Sequence, residues 1–233
     1  MKLIPLLLCT ALLGMSGSCG AAAADPQPAP YLDVATLDST RFMAPPPDDA
    51  ATRAEIQWML DLQRDRTESQ SARAVADLEQ SVFRFADVMG PGFVEARLPR
   101  VAAFFSRLYR TESEFNKQGK QLWRRDRPPM VDERLKPVAK FANSGSYPSG
   151  HAAFGFLAGI VLADMVPERR ARIMARAREF GDNRVLGGVH FPSDVEAGRQ
   201  LAVLIAALVQ HLPAYQSDFA LARAELRHAL DLP

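Results

Sequence analysis

Residues 145–151 read Gly-Ser-Tyr-Pro-Ser-Gly-His, residues 181–194 read Gly-Asp-Asn-Arg-Val-Leu-Gly-Gly-Val-His-Phe-Pro-Ser-Asp, and an apolar run from Ala152 to Val166 lies between them. Two polar turns, each carrying a histidine, thus bracket a segment whose composition predicts a buried helix. Such a helix brings residues distant in the chain to one pocket. Asp164 interrupts the run, and both it and the apolar stretch Leu201–Leu212 are too short to cross a bilayer. Both read as core helices of a bundle.

Working outward, helical spacing recurs on both sides. Ile56, Met59, Leu60 and Leu62 predict an amphipathic helix over Ala50–Asp65, and a second pattern runs through Val75, Leu78, Val82, Phe83 and Phe85 to Met89, stopped by Gly90-Pro91-Gly92. Val101, Phe104, Phe105, Leu108 and Tyr109 form the stripe of a third helix, Arg100 to Lys117; residues 116–127 either prolong it or break, and Pro128-Pro129 ends it. Downstream, Glu168–Phe180, Val195–Leu212 and Ser217–Leu230 predict three further helices. Strand alternation is rare and no repeat is present, so the expected fold class is all-α. The proline- and aspartate-rich residues 25–49 predict an extended arm, leaving residues 50–233 as a single helical domain.

Residues 1–24 have the pattern of a signal peptide: Lys2, an apolar stretch from Leu3 to Leu13, and Ala22-Ala23-Ala24 before Asp25. Export to the periplasm is therefore expected, with lipid anchoring at Cys19 as a minor alternative. Cleavage after Ala24 removes both cysteines, Cys9 and Cys19, so the mature chain depends on its core rather than on disulfides. It also removes Lys2, leaving basic and acidic residues equal at 27 each. Neutrality gives no basis for a nucleic-acid partner, although a neutral protein still focuses an anion in one cleft.

Three groups of residues carry the chemistry. Lys120 and Arg127 are seven apart, nearly two helical turns, so both side chains point the same way if the segment is helical. At 148–151, Ser149 and Gly150 precede a helix whose free N–H groups suit an anion; Ser149 either contacts that anion or merely caps the helix, and His151 sits in its first turn. His190 and Asp194 are four apart, so the carboxylate either fixes the tautomer of a reactive imidazole or caps the next helix from behind Pro192. With Arg184 added, three cations and two histidines describe a site for a tetrahedral oxyanion in which His190 attacks phosphorus and His151 serves as acid and then base. A metal site fits less well, since no third ligand accompanies the histidines and the cations repel a divalent ion. His211 and His228 read as ordinary helix residues.

On these residues the sequence resembles the type 2 phosphatidic acid phosphatase (PAP2) and vanadium haloperoxidase superfamily, and within it the bacterial class A non-specific acid phosphatases. The signature of Lys, six residues, Arg-Pro; Pro-Ser-Gly-His; and Ser-Arg, five residues, His, three residues, Asp is met, but for the serine of its third block, by Lys120 with Arg127-Pro128, by Pro148–His151, and by Arg184, His190 and Asp194. The resemblance implies a soluble helical bundle and an acid phosphatase active on a broad range of phosphomonoesters. It implies a phosphohistidine on His190, His151 as acid and base, Asp194 as orienting carboxylate, and Lys120, Arg127, Ser149, Gly150 and Arg184 around the phosphate. No metal or other cofactor is implied. Partners are small phosphomonoesters such as nucleotides, sugar phosphates or aryl phosphates, and a homo-oligomer is compatible with it. The alternatives are a lipid or isoprenoid-diphosphate phosphatase with the same site, a haloperoxidase, and a non-catalytic periplasmic oxyanion-binding protein. Two positions depart from the pattern: Asn183 stands where the signature has serine, and Ala152 where many relatives have threonine. Asn183 is expected to bond a phosphate oxygen or the turn backbone.

Overall fold

The computed structural model describes residues 29–233, so the signal-peptide reading lies outside the described residues. The described chain folds into α1 (Asp49–Asp65), α2 (Glu68–Ala76), α3 (Ala86–Met89), α4 (Pro99–Trp123), α5 (Pro128–Val131), α6 (Gly150–Met165), α7 (Arg170–Leu186), α8 (Pro192–Val209) and α9 (Pro213–Ala229), with short 3₁₀ turns between some of them. Among the described residues there is no strand, as the missing alternation predicts, and no helix is long and apolar enough to cross a membrane.

The run 152–166 is the centre of the bundle. Nearly every α6 residue from Ala152 to Met165 is buried, because the helix is apolar all round and needs neighbours on every side. α7 and α8 supply most of that cover, and α4 packs against α6 and α9. The α6–α7 approach is very close: a Cβ on Gly159 would stand 2.3 Å from Ala177 Cβ. On the other side, a Cβ on Gly198 of α8 would lie 2.4 Å from the Ser149 carbonyl oxygen, so glycine there lets α8 run directly under the start of α6.

Residues 29–48 contain no α-helix, only a 3₁₀ turn at Ser39–Phe42. They are bonded to the helices: Tyr31 Oη donates to Asp218 (2.8 Å), Ser39 Oγ to Gln118 Oε1 (2.7 Å), and Tyr147 Oη to the Ala44 carbonyl (2.8 Å).

Several boundaries differ from the periodicity. The pattern 75–89 is not one helix; α2 ends at Ala76, a 3₁₀ turn follows at Val82–Phe85, and α3 is a single turn. α4 continues past Lys117 to Trp123 and stops where Arg124 takes a left-handed conformation (φ 47°). α7 runs through Gly181 to Leu186, so Arg184 is a helix residue and not part of a glycine-bearing turn. Burial of Phe180, Asn183, Arg184 and Val185 outweighs the low helix propensity of glycine there.

Candidate active site

Pro192 opens α8 and leaves His190 and Asp194 facing one another. Asp194 is fully buried and ionised, with three donors besides the imidazole: Phe191 N–H at 2.8 Å and Ser146 Oγ at 2.5 Å to Oδ2, and Arg125 Nη1 at 2.7 Å to Oδ1; His190 Nδ1 lies 3.3 Å from Oδ2. Burial pushes this carboxyl up, but the bonds to His190, Arg125 and Ser146 outweigh it and hold the group below the usual aspartate value. The Asp194 side chain therefore both caps α8 and faces the imidazole, so the two readings of the sequence are one arrangement.

The tautomer of His190 follows from its neighbours. Arg127 Nη1 lies 3.0 Å from Nε2, and a guanidinium only donates, so Nε2 carries the lone pair and Nδ1 the proton. Burial, together with Arg127 and Lys120, drives the His190 pKa well below the ordinary value against the pull of Asp194. Burial thus favours the neutral ring.

His151, in the first turn of α6, points its Nε2 at the Leu78 carbonyl (3.1 Å), which makes Nε2 the protonated nitrogen. Burial and the nearby Arg184, Arg127 and Lys120 lower its pKa to about 3. The three cations are themselves desolvated. Lys120 is lowered to about 8 by burial and then by Arg127, and its Nζ donates to the Gly145 carbonyl at 2.6 Å. Arg127 donates to the carbonyls of Ser144 (3.1 Å) and Val189 (3.0 Å). Arg184 is 1% exposed, lowered to about 10 by burial and Arg127, and its Nε has no hydrogen-bond partner among the described residues. Buried like charges of this kind are stabilised by an oxyanion.

A cavity of about 520 Å³ collects Lys120, Arg127, Gly150, His151, Arg184 and His190 on its wall. Two of the sequence-predicted site residues do not line it. Asp194 sits behind His190, and Ser149 is buried, its Oγ accepting from Ala152 N–H (3.4 Å) and its N–H donating to the Asp194 carbonyl (2.9 Å). Ser149 is here the helix cap. The predicted reason for Lys120 and Arg127 converging also fails: Arg127 lies beyond α4, in extended conformation before α5, and the chain reversal at Arg124 brings it back. Asn183 does not line the cavity; its Nδ2 donates to Asp77 Oδ2 at 2.8 Å.

Sequence reasoning missed Arg125 and Ser146, which hold Asp194, and Glu112 and Asn116, which line the cavity with Lys120. The i, i+4, i+8 spacing of Glu112, Asn116 and Lys120 was the available signal for one shared helix face.

Known proteins resemble this chain over the segment that carries these residues. The family model described as PAP2 superfamily matches residues 103–218, which include every motif residue above. The chain is similar to the non-specific acid phosphatase of Salmonella typhimurium, 30% identical over 203 residues that cover 82% of this chain and 81% of that protein. The chain belongs to the PAP2 superfamily. Within the superfamily it is an acid-phosphatase-type hydrolase, and it is also similar to the acid phosphatase of Zymomonas mobilis, 34% identical over 151 residues, spanning 62% of this chain and 56% of that one. The PAP2 fold itself recurs in the crystal structure of a transmembrane PAP2 type phosphatidylglycerolphosphate phosphatase from Bacillus subtilis (TM-score 0.51, 18% identity, 70% of this chain and 86% of that chain).

Proposed function

We propose that the protein, exported after loss of residues 1–24 and working as the single helical domain 50–233, hydrolyses small phosphomonoesters at acidic pH through a phosphohistidine on His190. The observation that carries this reading is the orientation of His190: its Nδ1–H is turned to Asp194 and its Nε2 lone pair to the cavity, where Arg127 donates to it. A nucleophile must keep its lone pair, and burial favours the unprotonated ring here.

Lys120, Arg127 and Arg184 neutralise the equatorial oxygens, and Gly150 at the start of α6 lets backbone N–H groups approach them. Ser149 supports the same turn from behind. Attack by Nε2 forms the N–P bond as the ester P–O bond breaks. His151 gives the departing alkoxide a proton, then takes one from the water that cleaves the phosphohistidine. The acidic optimum follows from its charge. Burial and three cations keep His151 unprotonated down to about pH 3, and a phosphate dianion between them offsets those cations, so that protonation moves into the mildly acidic range. The same cations repel a divalent ion and supply the charge neutralisation that a metal would otherwise provide.

The test is hydrolysis of p-nitrophenyl phosphate by the mature protein at mildly acidic pH in excess chelator, with acid-quenched detection of phosphoprotein. Turnover with a histidine-linked phosphate is expected. Inactivity across nucleotides, sugar phosphates and aryl phosphates would sink the phosphatase reading, and activity lost to the chelator would sink metal independence.

A further inference from the structure

α4 runs along the cavity from the phosphate cradle to its outer wall. Lys120 stands at the cradle, Asn116 one turn earlier against Gly150, and Glu112 another turn out, about 12 Å from Lys120 along the helix axis. One turn further, Tyr109 donates to Gln80 Oε1 (3.2 Å), and Gln80 and Leu78 close the wall at that end. His151 is tied to this same end through the Leu78 carbonyl. In an in-line displacement the leaving group departs opposite the attacking His190 and on the side of the acid. The alcohol portion of a bound ester therefore extends toward Glu112.

Glu112 is 1% exposed, lines the cavity, and its Oε1 is buried without a hydrogen-bond partner among the described residues. A buried carboxyl with an unmatched oxygen is costly to stability, and α4 would pack more favourably with an apolar residue there. The volume of about 520 Å³ falls in the range of small-molecule pockets and exceeds what a phosphate group alone requires.

We propose that Glu112 is a specificity-determining residue whose carboxyl hydrogen-bonds a hydroxyl on the departing alcohol, favouring sugar and polyol phosphates over aryl phosphates. This rests on the phosphatase reading, with His151 on the leaving-group side. Burial raises the Glu112 pKa to about 8 against the opposing influence of Lys120 and Lys117, so at acidic pH the group is a neutral acid. A neutral acid donates through one oxygen and accepts through the other, matching a hydroxyl, which does both. The basic groups that share its cavity are Lys117 and Lys120 on α4, which act on it directly, then Arg127, Lys140 and Arg184, with His151 of α6. That surrounding disfavours an aminoalkyl ester, whose ammonium these cations repel.

The experiment compares kcat/KM for glucose 6-phosphate, glycerol phosphate, phosphoethanolamine and p-nitrophenyl phosphate in wild type, Glu112→Gln and Glu112→Leu at mildly acidic pH. The polyol-to-aryl ratio is expected to fall about tenfold or more in Glu112→Leu, mainly through KM, because a hydroxyl is left unpaired in a closed site. Glu112→Gln, whose amide also donates and accepts, is expected to keep most of the ratio. Glu112→Met, unbranched and close in size, gives the same reading if the leucine variant does not fold. A ratio unchanged within about twofold in the apolar variants overturns the proposal, and so do equal losses in the glutamine and apolar variants, which would make volume the cause. Phosphoethanolamine as the preferred ester would overturn it by making Glu112 an anionic receptor. A wild-type protein inactive on all four esters would instead fail the phosphatase reading, a distinct result.

Discussion

Replacing Asp77 by asparagine tests how the site is held from behind. Asp77 is fully buried and receives Arg176 on both oxygens (Nη1 to Oδ2 2.9 Å, Nη2 to Oδ1 2.6 Å), Asn183 Nδ2 on Oδ2 (2.8 Å) and Arg84 Nε on Oδ1 (3.3 Å). Asparagine offers one acceptor oxygen and turns an NH₂ against the remaining donors. Besides that one oxygen, Arg176, 1% exposed, would retain the Arg84 carbonyl at 3.4 Å and, as anionic partners, only Glu179 at 3.4 Å and Asp87 at 3.5 Å, both on more exposed side chains. Breaking a buried ion pair from one side costs about 3–5 kcal/mol. In a domain of this size each kcal/mol moves Tm by about 2–4 °C, so a fall of about 6–20 °C is expected.

Activity should fall as well, because the neighbour Leu78 supplies the carbonyl that orients His151, and Asn183 precedes Arg184. The assay is thermal unfolding followed by circular dichroism, together with kcat measured well below the transition. Its pH dependence has a definite sign. Burial raises the Asp77 pKa, but Arg176 and Asn183 outweigh it and the net shift is downward. A carboxyl depressed in the folded state contributes stability above the unfolded value of about 3.9 and loses it as pH falls through the folded value. The Tm gap between wild type and variant should therefore be steady from about pH 5 to 7 and narrow below about pH 4. A gap under about 2 °C at pH 6 with unchanged kcat would refute the reasoning, since about 3–5 kcal/mol cannot hide in so small a shift.

Two further outcomes follow from the geometry. His190→Ala should abolish turnover, whereas His151→Ala should still form phosphoenzyme from p-nitrophenyl phosphate, whose leaving group needs no proton, while losing about 10²–10⁴ in rate on alkyl esters; wild-type rates in His190→Ala would remove the nucleophile. Gly159→Ala should lower stability by about 1–3 kcal/mol or more, because its Cβ would fall 2.3 Å from Ala177 Cβ, and an unchanged Tm would mean that α6 and α7 separate at no cost.

The reach of the sequence differed from residue to residue. The apolar run Ala152–Val166 was legible because burial on every side leaves no polar face, and this is a local property of composition. His190 and Asp194 were legible because four residues and one proline span a single turn, so covalent geometry alone brings them face to face. Arg184 lines the cavity from a helix and not from the expected turn, since Gly181 and Gly187 read as breakers until α6 and α8 cover the helix that carries them. Ser149 capped a helix where an anion contact was equally open, because a hydroxyl satisfies either partner and only the finished fold puts it beneath Gly150.

By itself the sequence determined the all-α class, the central helix and the motif residues, each encoded by spacing within a turn or two. Tertiary structure alone decided that Arg127 returns past Arg124 to touch His190, that Arg125 and Ser146 converge on Asp194, and that Asp77 anchors Asn183. It also decided that Glu112 faces the cavity and not solvent. The physical reason is that local spacing specifies which side of a helix is buried. What that side meets depends on close packing between helices far apart in the chain.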